Sequence, residues 1–283
     1  MAIAIVTDST AYLSNEQYKE NNIYRLPLSV ILNGDPLKEE EEISSRAFFE
    51  QIRDRDDLPT SSQPTIGEIG RLFHQLAKEY DTIISIHLSS GISGTYQTVS
   101  SLAQTMDEVD IYPYDTQISC SAQGYFALEA AKMADKGAST LEIFKRFEEM
   151  QQTLKAFFVV DNLNHLVRGG RLSSGAASMG TLLKIKPILH FESKQIVVFE
   201  KIRTSKKALK RIESLLEEDV SKGYPILSTI IHANAEEKAV EWKEQLEKHF
   251  PSVTFKVSYF GPVIGTHLGE GALGMTWVKN FDH

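Results

Sequence analysis

Hydroxyls set ahead of helices are the side chains whose spacing in this sequence suits chemistry. The stretch Ser89-Ser90-Gly91-Ile92-Ser93-Gly94-Thr95-Tyr96-Gln97-Thr98 follows an apolar run at 82–88 that reads as a buried parallel strand, and it precedes a helical pattern over 96–106. In an open α/β sheet such turns lie at the carboxyl ends of strands, where ligands bind. The first N–H groups of the following helix lack intrahelical partners and carry partial positive charge. Gly91 and Gly94 let the backbone approach a ligand closely or take positive φ. A second cluster, Thr60-Ser61-Ser62, lies between Pro59 and Pro64, just before a helix that starts at Thr65. Both clusters suit a small anion, and both equally suit a well-capped turn with nothing bound. Asp8, in the polar turn Thr7-Asp8-Ser9-Thr10, is a further contributor to a site, or else an Asx turn that orders its own loop.

Two more groups join this set. His267 lies in the glycine-rich stretch Gly265-Thr266-His267-Leu268-Gly269, read as a loop, and loops carry function more often than strands do. Arg168 and Arg171 flank Gly169-Gly170. Arginine suits bidentate contact with carboxylate or phosphate; two arginines on a loop serve equally as salt bridges between domains. His87, inside an apolar strand, reads as a satisfied core histidine, and His232 at a strand end is ambiguous. Other chemistries lack their residues. Gly269-Glu270-Gly271-Ala272-Leu273-Gly274 spells a dinucleotide fingerprint but opens no helix or βαβ unit, with nine residues left to the end. The Gly-x-Ser-x-Gly pattern fails at Ser93, because Thr95 stands where the second glycine belongs. The eight histidines show no metal spacing, one cysteine makes no zinc site, and no Walker motif is present.

The elements that position these groups follow from periodicity. The 283 residues are 42% hydrophobic and 24% charged, enough for two domains with full cores. Residues 2–6, 82–88 and 109–114 read as core strands and 25–32 as an edge strand or strand start marked by Pro27, with helices over 14–21, 45–53, 65–80, 96–106, 122–134 and 139–154 between them; 157–160 reads as a fourth core strand. Alternation of this kind marks a parallel, Rossmann-like α/β domain over 1–160. The texture then changes: a short helix near 163–168, a helix over 179–183, a hairpin of 185–191 and 195–199, then helices and strands mixed to 279. This reads as a smaller α+β domain over 161–283. Residues 38–42, Lys-Glu-Glu-Glu-Glu, read as a solvated loop, and 261–274 as a glycine-rich loop. A net charge of −8 argues against a nucleic-acid-binding surface, though not against a local basic patch. Cys120, the single cysteine, permits no internal disulfide, and no apolar run approaches the ~20 residues needed to span a bilayer. Cytoplasmic placement is the expectation.

Six motifs in order give the sequence a family resemblance: Asp8-Ser9-Thr10, Ser61-Ser62-Gln63-Pro64, Ser93-Gly94-Thr95-Tyr96-Gln97, Arg168-Gly169-Gly170-Arg171, Lys186-Pro187-Ile188-Leu189 and Gly265-Thr266-His267. Over essentially its whole length the chain resembles the DegV family, which includes the fatty-acid-binding (FakB) subunits of bacterial fatty acid kinase. The resemblance implies a ligand tunnel between the two domains, holding a long-chain fatty acid such as palmitate or oleate. It implies carboxylate binding by Ser61, Ser93 and His267, with Ser62, Gly94 and Thr95 as secondary head-group or loop contacts. It implies engagement of an ATP-dependent, FakA-like kinase subunit through Arg171, with Arg168 beside it, and it admits a transient membrane encounter. No catalytic residue, metal or cofactor is expected in the chain itself. Ser61 stands where threonine is common, and Glu270 where proline is usual. A phosphoryl-handling enzyme acting on a small phosphorylated metabolite is the alternative, and a serine hydrolase using Ser93 and His267 a third reading.

Overall fold

The computed structural model describes residues 2–53, 55, 57–173 and 185–282. β1 (Ile3–Asp8) and β2 (Ile23–Leu26) open a parallel sheet. β3 (Ser29–Leu32), β4 (Asp35–Lys38) and β5 (Thr60–Ser62) form a small antiparallel sheet with β3 in the middle. β6 (Thr82–His87) and β7 (Asp110–Asp115) complete the parallel sheet, in the order β2-β1-β6-β7. The remaining strands build a second large sheet: β8 (Lys155–Val159), β9 (Ile188–Glu192), β10 (Gln195–Glu200), β11 (Ile226–His232), β12 (Val253–Tyr259) and β13 (Leu273–Lys279). Its order is β10-β9-β8-β13-β11-β12, parallel between β11 and β12 and antiparallel elsewhere. The fold is therefore α/β, with a parallel sheet and a mixed one.

Burial explains the near-continuous apolar runs of β1 and β6, because helices cover both faces of their sheet. Ala4, Val6 and Ile83 pack against Ile69, Phe73 and Val99 of the helices Ile66–Leu76 and Thr95–Ala103. Ile5, Ile84 and Ile86 point the other way, into Phe126, Ala130 and Phe147 of the helices Cys120–Asp135 and Thr140–Thr153. The Cys120–Asp135 helix is buried nearly all round and rich in Ala, as expected of a helix with little free face. It lies between the two large sheets, sharing a core with Val278 of β13 and joining Tyr125 OH to Thr229 Oγ1 of β11 at 2.6 Å. The helices Ser205–Val220 and Glu236–His249 pack through Ile212, Leu216 and Trp242 into a separate core with the second sheet. Capping boxes at Ser14, Thr65 and Ser139 start three helices where local sequence alone calls for them.

Several expectations are corrected. The strand expected over 25–32 is two strands in different sheets. Pro27 has no N–H to continue a ladder, so β2 stops at Leu26 and β3 starts afresh at Ser29. The run at 157–160 is part of β8, which pairs antiparallel with β13 and β9 in the second sheet instead of adding a further strand to the first; an apolar run does not name its partner. The charge run is not all solvated. Glu39 is fully buried and accepts bonds from Ser9 Oγ (2.6 Å), Tyr12 OH (3.1 Å) and Val263 N (2.9 Å). Burial pushes its carboxyl up to about 8, against the pull of those donors. The loop expected over 261–274 contains the helix Pro262–Leu268, with Pro262 in the first turn, where its missing N–H leaves no gap. The glycines there serve packing: a Cβ on Gly265 would lie 2.6 Å from Phe49 Cζ. The helix expected over 179–183 lies outside the described residues.

Candidate functional site

Ser61 and Ser93 reach one cavity by different routes. Ser61 is on β5, opposite Val30 of β3, and so is fixed by a ladder where the sequence suggests a stiff loop. Ser93 lies in the turn between β6 and the helix Thr95–Ala103. Its Oγ is 2.9 Å from Thr95 Oγ1 and accepts the Thr95 N–H at 3.3 Å; Thr95 itself is fully buried beneath it. The clamp between the two segments is Gln63, which motif reading quoted without assigning it a role. Its Nε2 donates to Thr98 Oγ1 at 2.6 Å, and its Oε1 occupies the space that a Cβ on Gly94 would need, at 2.2 Å. Gly94 is thus small because Gln63 crosses over it. Ser61, Ser62, Gln63, Ser93 and Gly94 all line the same cavity.

The turn is held from the second sheet as well. Ser193 and Lys194 form a two-residue hairpin loop between β9 and β10, both at positive φ (47° and 71°), where Asn-Gly would be the ordinary choice. Contacts across the sheets compensate. Ser89 Oγ donates to the Lys194 carbonyl at 2.7 Å, and Lys194 Nζ is 2.9 Å from Asp115 Oδ2. Asp115 also accepts from Ser90 N and Ser90 Oγ. Burial raises the Asp115 carboxyl, but the bonds from Ser90 and Lys194 prevail and hold it below the usual range. A Cβ on Gly91 would lie 2.1 Å from the Lys194 carbonyl oxygen, so that glycine is required by the docked hairpin.

His267 sits on the helix Pro262–Leu268, and its Nε2 is 2.8 Å from Ser61 Oγ. Burial, with Arg171 and His165 nearby, lowers its pKa to about 3, so the ring is neutral at physiological pH. Its Nδ1 is buried with no partner among the described residues, packed where a Cβ on Gly169 would come within 2.4 Å. A buried orphan N–H is rarer than a buried orphan acceptor, which assigns the proton to Nε2. Then Nε2–H donates to Ser61 Oγ, and the Ser61 O–H is left to donate into the cavity. Arg171, half-buried, also lines the cavity. Its Nε donates to Ile92 O (3.3 Å) and its Nη1 to Gly169 O (2.6 Å), and burial lowers its pKa. Arg168, three positions away, is exposed. The two arginines therefore part company, one into the cavity wall and one to the surface.

The cavity has a volume of about 300 Å³, at the lower edge of ordinary ligand pockets, and beyond its polar end it is walled by Leu28, Leu88, Phe158, Ile196, Phe260 and Ile264, among others. Cys120 is in the wall too, but burial pushes its thiol up to about 12, so no thiolate nucleophile forms there. Asp8 and His87 lie outside the cavity lining and satisfy each other: His87 Nδ1 is 3.0 Å from Asp8 Oδ2, Ser85 Oγ meets His87 Nε2 at 2.7 Å, and both Asp8 and His87 are fully buried. Asp8 also caps the short turn Ser9–Ala11, so its part is structural. Glu270, on the loop after the His267 helix, is gripped by Arg53 through two bonds (2.7 and 3.2 Å) and by Asn234 Nδ2 at 2.7 Å. That grip fixes a loop that proline would otherwise stiffen. Among the described residues no cluster of three or more His, Cys, Asp or Glu side chains could hold a metal, and no helix is long and apolar enough to cross a membrane.

These features define a class: α/β proteins built on a large parallel and a large mixed sheet, with an apolar internal cavity ended by clamped hydroxyls. The model of the DegV family, described as an uncharacterised protein family, matches residues 2–280, and the chain belongs to that family. It is similar to protein DegV of Bacillus subtilis strain 168, with 53% identity over 278 residues, covering 98% of this chain and 99% of that one. Its structure is similar to that of DegV described as a fatty acid binding protein from Bacillus subtilis, at a TM-score of 0.94 and 52% identity, covering 99% of this chain and 100% of that one. A fatty acid binding DegV family protein from Streptococcus agalactiae, SAG1342, matches at a TM-score of 0.91 and 34% identity over 99% of each chain.

Proposed function

We propose that this protein binds a long-chain fatty acid and presents its carboxylate to a separate ATP-dependent kinase subunit for acyl-phosphate formation in the cytoplasm. The observation that carries the reading is the cavity itself: apolar walls ended by Ser61, Ser93 and the neutral His267. Burial contributes about 0.8 kcal/mol per methylene, so roughly fourteen methylenes would give on the order of 11 kcal/mol gross before association costs. Affinity can come from the tail, which leaves the head group to set orientation.

The carboxylate would accept the Ser61 and Ser93 hydroxyls, with Ser62, Gly94 and Thr95 shaping the turn. Arg171 adds positive potential without a bidentate grip, because its Nε and Nη1 already donate to backbone carbonyls. One carboxylate oxygen would stay open to phosphorylation. Arg171 at the cavity and Arg168 on the surface beside it are the proposed kinase contacts. A hydrolase using this site is disfavoured by chemistry. The histidine meets Ser61, has no acceptor at Nδ1 among the described residues to orient it, and is too weak a base at a pKa of about 3. An enzyme for small phosphorylated metabolites would want polar walls where these are apolar. Native mass spectrometry of protein purified from cells, before and after denaturation, tests the binding. A coupled assay with a kinase subunit tests the presentation, with acyl phosphate expected only when both proteins are present.

A further inference from the structure

β8 and β9 are neighbours in the second sheet, yet their ladder is two pairs long: Phe157 with His190, and Phe158 with Leu189. Beyond Phe157 each strand keeps its other partner. β8 continues along β13 as far as Lys155 opposite Trp277, and β9 continues along β10 as far as Glu192 opposite Gln195. The sheet is therefore split between residues 155–156 and 191–192. Ala156, Phe157 and Phe191, the residues at the split, line the apolar cavity. The same three residues, with Ile118, also line a second cavity of about 520 Å³. That cavity continues past His190, Phe199 and Trp277 to a rim of Lys155, Glu218 and Lys222. These four residues, common to both linings, form the partition between the two cavities.

We propose that this split is a passage for the methyl end of acyl chains longer than the first cavity holds, and that Phe191 meters it. The inference rests on the fatty-acid reading and extends it to chain length. Phe191 is the large side chain of the partition with the fewest ring contacts among the described residues, and it packs against the two core clusters beside the cavity. Phe157 is locked in an aromatic group, its ring 5.0 Å from Phe199, 5.6 Å from Trp277 and stacked on His190 at 5.9 Å. Ile118 is buried, and its carbonyl is bonded by Ser89 N and Thr116 Oγ1. Ala156 is too small to block anything. Phe191 is half-buried, lies one residue past the ladder's end, and has a single ring neighbour, Phe158, at 6.4 Å. On the far side Phe199 is 37% exposed, an apolar surface for an emerging chain to cover.

The test is competition. Wild type, Phe191→Ala and Phe191→Trp are each incubated with an equimolar series of saturated acids from myristate to lignocerate, and the bound acids are read by native mass spectrometry. The bound behenate-to-palmitate ratio should rise about tenfold in Phe191→Ala, the worth of roughly two further buried methylenes, and fall by a similar factor in Phe191→Trp. The tryptophan variant carries the test if the alanine variant does not fold. Leu141→Ala, at an exposed side chain outside both cavities, should leave the ratio near the wild-type value. An unmoved profile in both Phe191 variants, or an equal rise in Leu141→Ala, overturns the passage while leaving acyl binding intact. Absence of any bound acid in the wild type overturns the fatty-acid reading itself, and the passage with it.

Discussion

His267 offers a direct measure of how the polar end is built. Its pKa falls from an ordinary 6.5 to about 3 because burial, Arg171 and His165 all oppose the charged ring. The sign of the consequence is fixed by linkage. Below pH 6.5 the unfolded chain takes up a proton at this residue and the native chain does not, so stability is lost as pH falls through 6.5 toward 3 and is unaffected well above 6.5. From those two values, one histidine should cost about 2 kcal/mol between pH 7 and pH 5. His267→Gln removes the titration while placing an amide N–H near the position of Nε2, so the bond to Ser61 Oγ can persist. The assay is urea unfolding of both proteins at pH 7 and pH 5. His165, His190 and His232 are also lowered by burial, but they titrate in both proteins and cancel in the difference. The variant should therefore lose about 2 kcal/mol less than wild type on acidification. An identical loss in the two would mean that His267 is solvated or charged in the native state, and the buried neutral ring described for the site would be refuted.

The other predictions concern the hydroxyls and the clamp. Hydrogen bonds to a carboxylate are worth about 1.5–3 kcal/mol each, less where water can replace them, against a gross tail contribution near 11 kcal/mol. Ser61→Ala with Ser93→Ala should thus keep most lipid uptake while lowering acyl-phosphate formation in the coupled assay; full activity of the double variant would remove both serines from the head-group role. The two turn glycines should differ. Gly91→Ala meets the Lys194 backbone carbonyl at 2.1 Å and should cost more than about 2 kcal/mol in chemical denaturation. Gly94→Ala meets only the end of an exposed glutamine side chain and should cost less than about 1 kcal/mol. Equal costs would mean that the hairpin is not docked on the turn as described.

Much of the fold was legible because β1, β6 and the helices around them obey strong periodicities, and because Ser14, Thr65 and Ser139 announce their helices through capping boxes. The hairpin of β9 and β10 was visible too, although its turn residues are atypical and are stabilised by groups far away in sequence. What stayed hidden depends on partners. Nothing local distinguishes β8 as a strand of the second sheet, since the apolar run that buries it would suit either. Glu39 looked like one of several solvated acids; its burial follows from donors at Ser9, Tyr12 and Val263, the last 224 positions away. The His267 helix was masked by glycines that exist to admit aromatic neighbours, not to make a loop. In the site, Ser61 and Ser93 could be singled out as hydroxyls on turns beside helices. The exposed Gln63 could not be, because its role depends on crossing Gly94 to reach Thr98. The diverging fates of Arg168 and Arg171 likewise arise from the way Gly169-Gly170 turns the chain against Ile92.

Native mass spectrometry of the protein purified from cells, followed by extraction and identification of whatever it carries, tests the central claim most directly. The account predicts a mass increment that is lost on denaturation and matches one long-chain fatty acid per chain, with added palmitate or oleate taken up by delipidated protein. Protein that carries no acyl ligand and takes up neither acid would contradict it.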